Sequence, residues 1–343
     1  MDDYNFEVDL VITWVDGSDE EWLKEKNKYL KANQRIDIDA SVKRYRDWDN
    51  VQYIFRGIEK FAPWVRKVFF ITCGQKPKWL NKKNEKLVWV NHADFIPVEY
   101  LPTFSSRPIE FNLHKIDELS EHFILMNDDF FFTKPVKKSD FFGKNGLPKL
   151  IPMEFACGCG VGDNEAFNKV IYNNTIAISS KFNKFEVKNK KWYSLKNPVV
   201  YWVNKFYDRT AKQNWVGFYF DHLPSPVLKS AIKECWEMFY DECNITCKNK
   251  FRSSEGINQY IFTDYMLCRN KFEIKRFGKL GKAFNLDDSG ENKNIDRVCG
   301  RIKKQKYKTI CLNDENVTNF EDTKKKINSS LNCILPQKSS FEK

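Results

Sequence analysis

Val8-Asp9-Leu10-Val11-Ile12-Thr13-Trp14, followed at once by Val15-Asp16-Gly17-Ser18-Asp19, is an apolar run of strand length that ends in a turn. A run without polar alternation suits a strand covered on both faces, as in a parallel sheet. Helical spacing follows from Glu20 to about Lys31, and this alternation continues through roughly the first 140 residues. From Asp49, the side chains of Val51, Ile54, Phe55, Ile58 and Phe61 share one helix face closed by Pro63. Val65 to Thr72 and Leu87 to Val90 read as strands, Arg107 to Leu119 as a helix with Ile109, Leu113 and Ile116 inward. Phe123 to Met126 is a fourth strand that runs directly into Asn127-Asp128-Asp129. Strands alternating with helices in this way predict an α/β fold, a sheet flanked by helices.

Beyond this point the pattern loosens. Residues 143–216 break into short aromatic and Lys/Asn-rich pieces, which we read as a lid-like insertion within a single catalytic domain spanning 1–343. Ser225-Pro226 has the look of a helix cap with proline at the first helical position, ahead of Leu228, Ala231, Ile232, Cys235, Trp236 and Phe239 at helical spacing. A helix over Gly256 to Cys268, a strand over Thr309 to Leu312 and a helix over about Phe320 to Leu331 complete the expectation, with Lys324-Lys325-Lys326 on a solvated face.

The chain has 343 residues, 42% of them hydrophobic, with 14 Gly and 12 Pro, which excludes collagen-like, low-complexity and disordered classes. Its net charge of +11 favours anionic partners, but phosphorylated metabolites, nucleic acid and an acidic membrane leaflet all satisfy that. The start, Met1 to Glu7, lacks the basic and apolar regions of a signal peptide, and no window has membrane-spanning length, so the expected location is the cytosol. Ten cysteines then read as reduced thiols. Cys157-Gly158-Cys159 and Cys243 with Cys247 look like halves of a zinc site but have no matching partner pair, so ordinary thiols are expected.

Ligands of open α/β sheets bind beyond the carboxyl ends of the strands. Asp16 and Asp19 follow the first strand and Asp128 and Asp129 the fourth, so two acidic clusters fall there. A strand-end Asp-Asp pair suits a hard cation bridging two phosphates; capping of turns and helices accounts for such carboxylates as well. Glu110 and His114 share a helix face and read first as a surface pair. His222, in Phe220-Asp221-His222-Leu223-Pro224, is equally a proton acceptor for a hydroxyl or an ordinary loop residue. Arg252 on its own reads as a solvated charge. No Gly-x-Gly-x-x-Gly, P-loop or Gly-x-Ser-x-Gly occurs, which weakens oxidoreductase, kinase and esterase readings.

Taken together, these strings resemble the Stealth family of capsular polysaccharide phosphotransferases and their lysosomal-enzyme relatives. The resemblance runs through Asp9 to Asp19, Phe55 to Val65, Gly74-Gln75 with Pro77 and Trp79-Leu80, Leu101 to Ser106, Leu113 to Ile116 and Phe123 to Asp129. It continues through Asp221 to Pro224, Phe251 to Glu255, Cys311 to Asp314 and Pro336 to Phe341; Arg107 departs from the histidine of many bacterial relatives. The resemblance implies a Rossmann-like, glycosyltransferase-A-type sheet. It also implies transfer of a hexose-1-phosphate, or an N-acetylhexosamine-1-phosphate, from a UDP-sugar to a sugar hydroxyl, with release of UMP. On this likeness His222, Arg252 and Asp140 take catalytic places, with His222 as general base. Trp14, Val15, Asp16, Gly17 and Asn313 hold the nucleotide, and Asp128, Asp129 and Asp314 hold Mg²⁺ or Mn²⁺. The expected partners are the donor and a glycan acceptor, lipid-linked in one version, with the basic excess touching the inner membrane leaflet and no nucleic acid bound. The rivals are a metal-dependent glycosyltransferase releasing UDP and a non-enzymatic binder of acidic polymers.

Overall fold

The computed structural model describes residues 4–32, 40–158, 165–291 and 293–343. Cys159 and Met1 to Asp3, which entered the reading above, lie outside them.

In chain order the first elements are β1 (Val8–Thr13), α1 (Glu20–Ala32), α2 (Val51–Phe61), β2 (Val68–Thr72), β3 (Leu87–Asn91), α3 (Ser106–Asn112), β4 (His122–Asn127) and β5 (Phe130–Phe132). Next come α4 (Lys138–Phe141), β6 (Lys149–Leu150), α5 (Glu165–Lys181), α6 (Lys184–Val187) and α7 (Pro198–Thr210). The chain continues with β7 (Ser225–Leu228), α8 (Lys229–Met238), α9 (Tyr240–Lys248), α10 (Tyr260–Cys268), β8 (Glu273–Ile274) and β9 (Gly281–Asp287). It closes with α11 (Ile295–Lys303), β10 (Thr309–Asn316) and α12 (Phe320–Ile334).

The main sheet has the order β3-β2-β1-β4-β7 and is parallel except for β7. Every residue of β1 and β2 is buried, in keeping with their largely apolar sequences, and the buried Asp9 of β1 is paired with Arg66. This is the α/β architecture the alternation pointed to. A second sheet, β5-β10-β9, continues from the end of β4.

Three expectations need correction. Ser225-Pro226 opens no helix: both lie in β7, where Pro226 pairs with Ile124 in the edge strand of the sheet, a place that tolerates a missing N–H. The helix starts only at Lys229. The helix expected over Arg107 to Leu119 stops at Asn112, whose side chain donates back to the Pro108 carbonyl at 2.7 Å, and continues only as one 3₁₀ turn to Lys115. Among the described residues of 143–216 are three helices, α5 with seventeen residues, rather than irregular pieces.

Candidate active site

Thr13, the last residue of β1, lies in register with Asn127, the last of β4. Trp14-Val15 and Asp128-Asp129 therefore leave the sheet side by side at its carboxyl edge, where the crossovers from β1 diverge to opposite sides. The second sheet adds a third chain segment: Leu312 N donates to the Asp129 carbonyl at 3.0 Å, and the Cys311 thiol donates to Asp129 Oδ2 at 3.2 Å. Asn313 and Asp314 follow directly on β10.

The cavity above this floor has a volume of about 540 Å³ and is lined by Trp14, Val15, Asp128, Asp129, His222 and Arg252, with Asn313 and Asp314 at its side. Asp128 is exposed to the cavity, whose walls surround it. That surround, followed by the charge of Asp129, pushes its carboxyl up to about 7. Burial also raises Asp129, partly offset by His222 and by the Cys311 thiol. Asp129 Oδ1 is buried with no hydrogen-bond partner, an arrangement that fits a carboxylate awaiting a cation.

His222 sits before β7 with φ of 40°, a backbone region unusual for a residue with a side chain and one that neighbouring structure must enforce. Its Nδ1 lies 2.6 Å from the Tyr260 hydroxyl, and its ring meets the Phe130 ring edge-on at 5.3 Å. Tyr260 is held in turn by stacking on Phe220 at 4.4 Å. Ligand atoms of Asp129, His222 and Cys311 all come within 4.8 Å of one another, so imidazole and floor carboxylate act on the same small space.

Arg252 arrives on a loop fastened to the amino end of α3. Phe251 stacks on Phe104 at 5.1 Å, Arg107 Nη1 donates to the Ser253 carbonyl at 2.8 Å, and Arg252 Nη2 donates to Ser106 Oγ at 3.3 Å. Behind them on α3 is Glu110, with no solvent exposure and no well-aligned hydrogen bond to either oxygen. Burial pushes its carboxyl up to about 7; the charges of Arg252 and Arg107, and then the Ser106 hydroxyl, pull the other way. The surface-pair reading of Glu110 with His114 is therefore overturned. His114 lies beyond the end of α3, with Nδ1 3.1 Å from the Phe111 carbonyl.

Four residues singled out for the site do not line the cavity. Asp16 Oδ1 accepts from Ser18 N and Oγ, while its backbone exchanges two hydrogen bonds with the Gln75 side chain. Gly17 packs so closely under Tyr45 that an added Cβ would stand 1.7 Å from the Tyr45 carbonyl oxygen. The turn thus braces the segment that carries Arg46, and of its residues only Val15 lines the cavity, beside Trp14 of the strand end. Asp19 caps α1 by accepting from Trp22 N at 2.8 Å. Asp140 belongs to α4, where it accepts from Lys137 N at 2.8 Å and pairs with Lys308 at 2.7 Å. Asp314 does face the cavity, but both its oxygens are taken by Arg46 at 2.5 Å, so as placed it is an arginine anchor and not a metal ligand.

Arg46, Tyr260 and Glu110 are the site residues that sequence reading missed. Lys43-Arg44-Tyr45-Arg46 is visible as a basic run, yet nothing local distinguishes it from solvated charge. Cys243 and Cys247 are free thiols buried on α9.

A family model described as Stealth protein CR2, conserved region 2, matches residues 44–150, and one described as Stealth protein CR1, conserved region 1, matches residues 6–34. The chain is 36% identical to the receptor polysaccharide phosphotransferase WefC of Streptococcus oralis, over 98% of this chain and 99% of that protein. It is 34% identical to a capsular polysaccharide phosphotransferase WcwK of Streptococcus pneumoniae, over 98% and 99% respectively. With the exopolysaccharide phosphotransferase cps2G of Lactiplantibacillus plantarum it shares 34% identity, over 98% of this chain and 97% of that one.

Proposed function

This chain belongs to the Stealth family, and from that premise we propose that it is a polysaccharide phosphotransferase. It transfers a hexose-1-phosphate, in one version an N-acetylhexosamine-1-phosphate, from a UDP-sugar to a sugar hydroxyl of a capsular or related surface polysaccharide. The observation that carries the reading is the convergence of Asp128, Asp129, His222 and Arg252 on one cavity of about 540 Å³, a volume within the usual range of small-molecule sites.

In this reading the acceptor hydroxyl gives its proton to His222 Nε2 as its oxygen attacks the phosphorus nearest the donor sugar. The bond from that phosphorus to the bridging oxygen breaks in line, and its electron pair leaves with UMP. For Nε2 to accept, the imidazole must carry its proton on Nδ1, and the 2.6 Å contact with Tyr260 gives that proton an acceptor. The ring faces Asp129, with ligand atoms of the two side chains within 4.8 Å of each other. Arg252 spreads the charge developing on the phosphoryl oxygens, and the Ser106 and Arg107 contacts fix its loop. Trp14, Val15 and Asn313 form the nucleotide wall. Asp128 and Asp129 would hold Mg²⁺ or Mn²⁺, which neutralises pyrophosphate charge when bound. Asp314 keeps Arg46 in the site.

The nucleotide released in a single turnover tests this. UMP is expected from a UDP-sugar screened with Mg²⁺; UDP would mean attack at the anomeric carbon, a conventional glycosyltransferase. Asp128→Asn and Asp129→Asn are each expected to weaken metal-dependent donor binding by about tenfold or more. Wild-type donor affinity that persists in chelator would remove the metal from the reading.

The acceptor in this proposal is lipid-linked, and the protein works at the cytoplasmic face of a membrane through its basic excess of +11. Among the described residues no helix is long and apolar enough to cross a membrane. Nucleic acid has no part in the proposal.

A further inference from the structure

The outer face of α7 is apolar where a water-facing helix would be charged. Leu195, just ahead of the helix, and Val199, Trp202 and Phe206 follow one another at i, i+4, i+7 and i+11 and form a single stripe. They are 76%, 54%, 69% and 59% exposed. The opposite face is already in use: Val200 packs with Ile151 and Met153, and Asn204 accepts from Glu154 N at 2.9 Å. The outer stripe is left exposed, with Trp202 edge-on to Tyr201 at 5.1 Å and Phe206 edge-on to Tyr207 at 5.2 Å along the same helix.

Charge says what the stripe faces. Residues 181–212 contain nine Lys or Arg and two acidic residues. Lys184 and Lys188 are buried with Glu154 and Asp208, a network that also locks α7 in place. Lys181, Lys190, Lys196, Lys205, Arg209 and Lys212 are exposed, against Glu186 as the exposed acid of the segment. On α6, Phe185 adds a further exposed ring (57%), and neighbouring Lys184 donates to the carbonyls of Tyr207 and Asn214. Large apolar and aromatic side chains bordered by lysines match an anionic bilayer interface, where rings enter the headgroup layer and cations meet lipid phosphates. A two-fold contact between copies would instead bring lysine to lysine.

We infer that this face of α7 docks the protein on an anionic lipid bilayer, with Trp202 and Phe206 as the inserting anchors. The inference rests on the peripheral-membrane part of the proposed function and not on its chemistry. It also links membrane to cavity. Asn197, which precedes α7, donates to the Lys275 carbonyl at 2.7 Å, and Lys275 Nζ bonds Asp221, the neighbour of His222, at 2.5 Å. Asn197 and Lys275 thus tie the start of α7 to the segment that carries the base.

Flotation with vesicles tests the surface. The wild type is expected to float with phosphatidylcholine vesicles containing about a third phosphatidylglycerol, to stay behind with phosphatidylcholine alone, and to detach as salt rises. Trp202→Ser combined with Phe206→Ser should lower partitioning about tenfold or more while far-UV circular dichroism and turnover with a soluble acceptor stay unchanged. Lys196→Gln with Lys205→Gln and Arg209→Gln should weaken binding only to the anionic vesicles. The inference is overturned if the wild type fails to float, if the serine variant floats like wild type, or if light scattering shows a dimer that those serines dissociate. Flotation does not depend on catalysis, so its failure leaves the phosphotransferase reading standing, and the reverse holds too.

Discussion

Replacing His222 with alanine is expected to lower turnover by about a hundredfold or more while leaving donor affinity within about twofold. The imidazole supplies a proton acceptor at the attacking oxygen, whereas in the proposal Asp128 and Asp129 are committed to the metal and Asp314 is taken by Arg46. Tyr260→Phe gives an intermediate case. It removes the group facing Nδ1 but keeps the ring that stacks on Phe220, so the imidazole keeps its place and loses control of its tautomer. A fall of about tenfold is expected there. Pre-steady-state release of UMP, measured with donor saturating, separates the proton-transfer step from binding. An alanine variant with wild-type turnover would take His222 out of the mechanism.

What could be read beforehand follows from how locally each feature is determined. β1, β2 and β4 are legible because a fully buried parallel strand needs an uninterrupted apolar run, and their ends place Asp128 and Asp129 without further information. β7 misled because Ser-Pro signals a helix start only when the segment is not paired; here pairing with β4 decides, and an edge strand accepts the proline. β9 stayed hidden since Gly281 to Asp287 alternates buried with exposed residues only in its second half and gains its place from β10. In α5, Asn174 and Thr175 are buried among the apolar side chains, with Asn174 paired to Asn258, so helical periodicity is blurred by polar groups that only the fold satisfies.

The site shows the same division. Trp14, Val15, Asp128, Asp129 and Asn313 inherit their positions from strand ends, whereas Asp16 and Asp140 lie at a turn and a cap with their side chains facing elsewhere and Gly17 packs under Tyr45. The Arg46 pairing with Asp314 spans 268 residues of sequence, and no local pattern encodes it. Glu110 was misread for a related reason: helical spacing gives which residues share a face but not whether that face meets water, and the loop from Phe251 to Ser254 covers it.

That buried position makes Glu110→Gln the variant with the most informative stability change. The carboxyl titrates at about 7 in the folded protein against an ordinary 4.5, so folding favours its protonated form. Its contribution is complete below 4.5 and is lost as pH rises through 7, because the folded state must then hold a buried carboxylate, only partly compensated by Arg252 and Arg107, that the unfolded chain solvates. The gap corresponds to about 3 kcal/mol, so the glutamine variant is expected to be more stable than wild type by up to about that much near pH 8. Near pH 5 the two should differ by well under about 1 kcal/mol. Denaturant unfolding of the metal-free protein at both pH values measures this, and equal stability at both would show that the carboxylate finds a partner in solution. Turnover is expected to move oppositely. Without a negative charge behind them, Arg107 and Arg252 repel each other and the guanidinium drifts from the transferred phosphoryl group, at a cost of about tenfold or more in rate. A residue kept only for packing would give the stability gain without the rate loss, so the two readouts together assign Glu110 as the group that positions Arg252.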